Sequence, residues 1–163
     1  QTLRQLVDSN GRFHPLDVTD YAQQICQILS YLHSQEPVIL HRDLTPDNLM
    51  VDSDGRLILI DFGAANELLG TATGTLVGKQ SYISPEQFAG HATESSDLYA
   101  LGATLYFMLT GRDPEPLTQS SPRDLERNVS EKLDKLVQSL TAQDYNERPA
   151  SAAEVKQALS ELW

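Results

Sequence analysis

Apolar positions recur along this chain at two spacings, and the change from one to the other marks out its elements. Between residues 17 and 34, Tyr21, Ile25, Ile28, Leu29 and Leu32 fall three or four apart, which sets them on one face of an amphipathic helix. Asp17 or Thr19 is expected to cap its start, and Pro37 to stop it and force extended backbone nearby. A shorter helical stretch precedes it, from Gln1 to Phe13, broken by Asn10-Gly11. Three apolar runs follow, Val38-Ile39-Leu40, Leu49-Met50-Val51 and Leu57-Ile58-Leu59-Ile60, and their lengths suit strands. Asp52-Ser53-Asp54-Gly55 carries turn chemistry, so the second and third runs are expected to pair as a hairpin. Residues 96–110 are apolar on most sides, the pattern of a helix buried at the centre of a domain, and Gly111 closes it. Two amphipathic helices are predicted over residues 130–140 and 151–162. Residues 66–84 and 113–122 are rich in Gly, Thr, Ser or Pro and read as surface loops, a class that is often functional when long. The pattern predicts a mainly α fold with a small β-hairpin element, without internal repeat or interdomain linker.

Composition narrows the function classes. At 163 residues the chain is one domain's worth and can bury a sizeable core. A net charge of -11 argues against nonspecific nucleic-acid binding, which needs clustered Lys and Arg. The longest apolar run, within Leu98 to Leu109, is too short to cross a bilayer, so no membrane insertion is expected of this segment. The single cysteine, Cys26, falls among Ile25, Ile28 and Leu29 and reads as a buried, reduced thiol. A cytoplasmic location is expected from it, with a longer parent chain free to be tethered at the cytoplasmic side of a membrane.

The candidate chemistry lies in His41-Arg42-Asp43-Leu44-Thr45-Pro46-Asp47-Asn48 and in Asp61-Phe62-Gly63. The predicted hairpin puts Asn48 just before one strand and Asp61 just after the other, so both should point into one cleft with the Asp43 loop. Phosphoryl transfer asks for such parts: one carboxylate to orient a hydroxyl, and two oxygen donors to hold the metal on ATP.

Taken with Ser84-Pro85-Glu86, Asp97-Leu98-Tyr99-Ala100-Leu101-Gly102 and Arg148-Pro149, these motifs resemble the catalytic domain of eukaryotic-like protein kinases of the bacterial Ser/Thr type. The resemblance covers essentially the whole chain, in the family's order. It implies a protein-kinase-like C-lobe, the α+β kinase fold lacking its N-lobe. No Gly-rich loop and no strand lysine precede the motifs, so residues 1–163 are expected to be the C-terminal lobe only, with little turnover alone. ATP and Mg2+ are the implied cofactors, and a protein substrate and the missing N-lobe the implied partners.

The family's roles carry over by position. Asp43 matches the catalytic carboxylate, Asn48 and Asp61 the magnesium ligands, and Met50 the apolar residue beneath adenine. His41 and Phe62 match two members of the apolar column that joins the lobes. Arg42 matches the arginine that orders a phosphorylated activation loop, for which Thr71, Thr73 and Thr75 are candidates, Thr75 best placed. Glu86 and Arg148 match a structural ion pair, and Asp97 the aspartate that holds the catalytic loop's backbone.

Two positions depart from the family. Thr45 stands where most Ser/Thr kinases carry Lys, and Lys79 follows Gly78 where the family has Thr. The two look exchanged, so Lys79 is expected to supply the ammonium near Asp43 and Thr45 the hydroxyl. The exchange, with Lys79-Gln80 and Gly111-Arg112-Asp113-Pro114, resembles a subset of bacterial kinases, cyanobacterial ones among them. Two other readings stay open, a pseudokinase or regulatory binding module and a small-molecule phosphotransferase. The intact Asp43, Asn48 and Asp61 weigh against the first, and the Ser-Pro-Glu loop with Arg148 against the second.

Overall fold

A computed structural model describes residues 1–61 and 79–163. Its centre is a helix apolar nearly all round, α4 (Glu94–Thr110), with Leu98, Leu101, Leu105, Met108 and Leu109 all buried. Thr93 and Ser96 form a capping box at its start, and Gly111, in the left-handed region at φ 74°, ends it. A long amphipathic helix, α2 (Pro15–His33), packs on α4 and also on the last helix, α6 (Ala152–Ser160), while α5 (Glu131–Leu140) packs on α4 as well. The approach of α4 to α5 is close at Gly102. A Cβ there would lie 2.7 Å from Leu140 Cβ and 2.8 Å from Thr141 Cγ2, so only glycine fits without a shift.

The cap of α2 differs from the expected one. His14 caps it, its Nδ1 accepting from Leu16 N–H at 3.2 Å, and Pro15 occupies the first helical position, where its missing N–H costs nothing. Asp17 and Thr19 lie inside the first turns, and the Thr19 hydroxyl donates back to the Pro15 carbonyl. Cys26 is fully buried on the inner face of this helix, and burial pushes its thiol up to about 12.

The predicted hairpin is present. β1 (Leu49–Val51) and β2 (Leu57–Leu59) are antiparallel, with Met50 opposite Ile58. Asp52 Oδ1 accepts from the N–H groups of Asp54 and Arg56 across the turn, and Gly55 takes the positive φ of 77°. The chain start is pinned to the hairpin: Val51 N–H donates to the Gln1 carbonyl at 2.8 Å, and Thr2, bridged to Met50, caps α1 (Leu3–Asn10).

Residues 38–40 do not form the expected strand. Val38 and Ile39 are exposed, and Ile39 N–H donates to the Leu32 carbonyl at the end of α2. Strand propensity has no effect without a neighbouring edge to pair with, and none lies alongside among the described residues. A one-turn helix the sequence did not announce, α3 (Pro85–Phe88), follows Ser84, whose hydroxyl accepts from Gln87 N–H. Among the described residues no helix is long and apolar enough to cross a membrane.

Candidate active site

The site is built outward from Asp97, which sits in the first turn of α4 and is 1% exposed. A charge so deep costs several kcal/mol unless donors surround it. Three do so here. His41 N–H and Arg42 N–H each donate to its carboxylate at 2.9 Å, and His33 Nε2, from the end of α2, lies 2.8 Å away. The backbone entering the Asp43 loop is thus fixed to the central helix. His41 continues the chain of contacts. Its Nδ1 accepts from Asp43 N–H at 3.2 Å and its Nε2 lies 3.1 Å from the Ile60 carbonyl, an arrangement the neutral Nε2–H tautomer satisfies at both ends. Arg42 between them takes φ 69°, a conformation that L side chains rarely adopt and that persists where surroundings dictate it.

Asp43 is 8% exposed, and two donors converge on one of its oxygens. Asn48 Nδ2 donates to Asp43 Oδ2 at 2.9 Å and to the Asp43 carbonyl at 2.7 Å. Lys79 Nζ, in a 3-10 turn over Lys79–Tyr82, reaches the same Oδ2 at 3.2 Å. The structure therefore brings Lys79 to Asp43, 36 residues earlier in the chain. Thr45 is also at the site, 2% exposed, with Oγ1 buried and without a hydrogen-bond partner among the described residues. An orphan hydroxyl of this kind needs a partner from outside to recover its desolvation cost.

The hairpin sets the second carboxylate. Ile60 N–H donates to the Asn48 carbonyl at 2.9 Å, which ties the two strand ends together and leaves Asp61, exposed and at φ 54°, beside Asn48. Among the described residues no three His, Cys, Asp or Glu side chains gather into a metal cage. Asn48 and Asp61 instead offer two hard oxygen donors, the kind that suits Mg2+, which keeps waters and phosphate oxygens as its other ligands. Met50 and Ile58, opposite one another in the register, expose their side chains on one face of the hairpin.

A second cluster fixes the segment that carries Lys79. Arg148 grips Glu86 with both terminal guanidinium nitrogens, at 2.6 and 3.0 Å, and also donates to the carbonyls of Ala142 and Ser95. The Ser96 hydroxyl donates to the same Glu86 carboxylate, and the guanidinium stacks over Tyr99. Burial raises the Glu86 carboxyl, but Arg148 and Ser96 outweigh it, and the group is held below its usual range. Gln87, in α3, donates to the Arg42 carbonyl at 2.7 Å and joins this cluster to the Asp43 loop. Arg42 itself is exposed, at the edge of a concavity shared with Gln87 and His91. Phe62, Thr71, Thr73 and Thr75 lie outside the described residues. Two contributors escaped the sequence reading, His33 and Gln87. Neither sits in a motif, and their partners are 64 and 45 residues away, so no local signal points to them.

The chain belongs to the protein kinase family: the sequence profile of the protein kinase domain matches residues 1–163. It is 38% identical over 117 residues, 69% of its length, to Serine/threonine-protein kinase PrkC of Bacillus subtilis, and covers 18% of that protein. It is 35% identical over 173 residues, 97% of its length, to Serine/threonine-protein kinase C of Synechocystis sp., and covers 32% of it. The chain thus spans a third or less of the length of these curated relatives. Among solved structures, the kinase domain of Mycobacterium tuberculosis PknI, crystallised as a point mutant, superposes with a TM-score of 0.78 at 25% identity, over 98% of this chain and 60% of that one. Rad53 1-466 in complex with AMP-PNP gives 0.73 at 27% identity, over 96% of this chain and 43% of that one. The helical scaffold with its two-stranded hairpin is the kinase-like C-lobe.

Proposed function

We propose that this chain carries the catalytic and metal-binding loops of a protein serine/threonine kinase that moves the terminal phosphoryl group of ATP to a Ser or Thr hydroxyl of a protein substrate. The observation that carries this reading is the convergence of Asn48 Nδ2 and Lys79 Nζ on Oδ2 of the buried Asp43. Among the described residues that arrangement leaves Asp43 Oδ1 as the acceptor for a substrate hydroxyl. The hydroxyl oxygen bonds to the terminal phosphorus as the bond from that phosphorus to the departing diphosphate breaks, and the hydroxyl proton passes to the Asp43 carboxylate. Lys79 is close enough to place its ammonium against the charge that spreads over the transferring group. The Thr45 hydroxyl, unpartnered among the described residues, is a donor for the same group or for the substrate.

Asn48 and Asp61 would hold Mg2+, which would offset the charge on the phosphates of ATP. Met50 on the exposed hairpin face would lie against the adenine ring. The same face, with Ile58, suits cover by a nucleotide-gripping small lobe that supplies a Gly-rich loop and a lysine. A reaction fed by ATP, together with a buried reduced Cys26, fits the cytoplasm.

The test is transfer of radiolabelled phosphate from ATP with magnesium by the full kinase, beside its Asp43→Ala variant. Label on protein that disappears in the variant is the expected result. Equal label in both would remove Asp43 from the reaction. Absence of label despite nucleotide binding would move the assignment to a non-catalytic binding module or a small-molecule phosphotransferase.

A further inference from the structure

Arg4, in α1, lies in no motif, yet it makes the densest set of charged contacts among the described residues. Its Nε donates to Asp47 at 2.9 Å and its Nη2 to Asp113 at 2.8 Å. Nη2 also lies 3.5 Å from the Tyr82 hydroxyl, and the guanidinium sits 4.6 Å above the Phe107 ring. Tyr82, 3% exposed, donates its own hydroxyl to Asp113 at 2.6 Å. Burial and the neighbouring Asp113 push the Tyr82 phenol far above its usual range, so it stays a donor. Burial opposes the Arg4 charge, but hydrogen bonds to Asp113 and Asp47 outweigh it.

The partners of Arg4 are not scattered. Asp47 is the residue before Asn48 in the 3-10 turn Pro46–Asn48. Tyr82 ends the 3-10 turn that Lys79 begins. Asn48 and Lys79 are the two groups that converge on Asp43 Oδ2. Two paths therefore leave one guanidinium and close on one carboxylate oxygen. The first runs through Asp47 and Asn48, the second through Asp113, Tyr82 and Lys79. A planar fork with several fixed donors can hold two carboxylates at a set separation, which an ammonium cannot do.

We propose that Arg4 is a positioning residue for phosphoryl transfer: from α1 it fixes the catalytic-loop turn and the Lys79 turn relative to each other, and so sets the geometry of Asn48 and Lys79 at Asp43. This rests on the kinase reading of Asp43 above. It adds α1 to the elements that set the geometry around Asp43.

The experiment compares Arg4→Met, Arg4→Lys and Asp113→Asn in the full kinase. The readouts are kcat, KM for ATP, magnesium dependence, Tm, and hydrogen exchange over residues 43–49 and 79–83. Arg4→Met keeps an unbranched apolar stem and removes the fork, together with its cation contact on Phe107. It should lower kcat roughly tenfold or more and raise the magnesium needed for half-maximal rate, as loss of a supporting partner of a metal ligand does. Exchange should rise in both segments together. Arg4→Lys should recover only part of the loss. In a cycle with Lys79→Ala, the two losses should be less than additive, because both act on one oxygen. A merely structural Arg4 would lower Tm while leaving kcat per folded molecule, magnesium dependence and exchange in the two segments unchanged, and that result overturns the proposal. If Arg4→Met does not fold, Asp113→Asn weakens the same node at an exposed position and must show the same pattern. A wild-type protein without transfer would sink the kinase reading, and exchange in the two segments would still decide whether Arg4 fixes them.

Discussion

Replacing Asp97 with Asn changes almost no volume and removes one charge, and the structure says what must follow. The carboxylate accepts from His41 N–H and the His33 ring on Oδ2 and from Arg42 N–H on Oδ1. An amide has one oxygen to offer. If that oxygen takes the Oδ2 position, Arg42 N–H faces an NH2 group. If the amide flips, His41 N–H does. Either way one buried backbone donor loses its partner, at about 1–3 kcal/mol, and the surviving bonds lose their charge assistance. A total of about 3 kcal/mol is expected, which for a domain of this size lowers Tm by roughly 6–12 °C. The more telling effect is on rate. His41 and Arg42 carry the backbone into Asp43, and a misplacement near 1 Å costs about 100-fold. Well below its Tm, Asp97→Asn in the full kinase should therefore lose kcat by roughly 100-fold, with KM for ATP little changed. Thermal melting and initial-rate kinetics on one preparation test both parts. A variant that melts early yet turns over at the wild-type rate would refute the claim that Asp97 sets the place of Asp43.

Lys79→Ala should fold normally, since its side chain is 30% exposed, and should lose roughly 100-fold in kcat measured by labelled phosphate transfer. Thr45→Val removes a buried hydroxyl with no partner among the described residues, so Tm should hold or rise while turnover falls. A fall in both would mean the hydroxyl is satisfied within the protein. Gly102→Ala should cost about 1–3 kcal/mol in denaturant unfolding, because its methyl must displace Leu140 or Thr141. Glu86 has a folded-state pKa below its unfolded value, so its contribution is fully present above about pH 4.3 and drains away as pH falls through the folded pKa. Glu86→Gln should accordingly flatten the acid side of the stability profile.

How much of this could be read from the chain depended on the range of the interaction. The hairpin was legible because strand, Asp-Ser-Asp-Gly turn and strand are consecutive, and α4 because the nearly unbroken apolar run from Leu98 to Leu109 leaves little choice. The Val38-Ile39-Leu40 run misled because three β-favouring residues look like a strand whether or not an edge is there to meet them. The cap at His14 was missed because Asp17 and Thr19 are better caps by type, but Pro15 had already fixed where the helix begins. At the site, Asp43, Asn48 and Asp61 stood out through spacing, and Lys79 through its exchange with Thr45. Arg4 did not, since its partners lie 43 and 109 residues away. Nothing about an arginine in a short amphipathic helix distinguishes it from a solvated one.

The grip of Arg148 on Glu86 spans 62 residues of chain, and that separation has a consequence for how the protein is made. Synthesis runs from the N-terminus, so Asp43, Asn48, Asp61 and Lys79 all emerge before the residue that anchors their neighbourhood. Until Arg148 appears, Glu86 has its cation missing and keeps the Ser96 hydroxyl as its side-chain donor among the described residues. Contacts of such sequence separation form late, after the entropy of closing the loop between them has been met. The nascent chain therefore holds every residue of the candidate site well before it holds the site. A chain stopped short of Arg148 would carry Asp43, Asn48, Asp61 and Lys79 with the Glu86 segment unanchored by its cation.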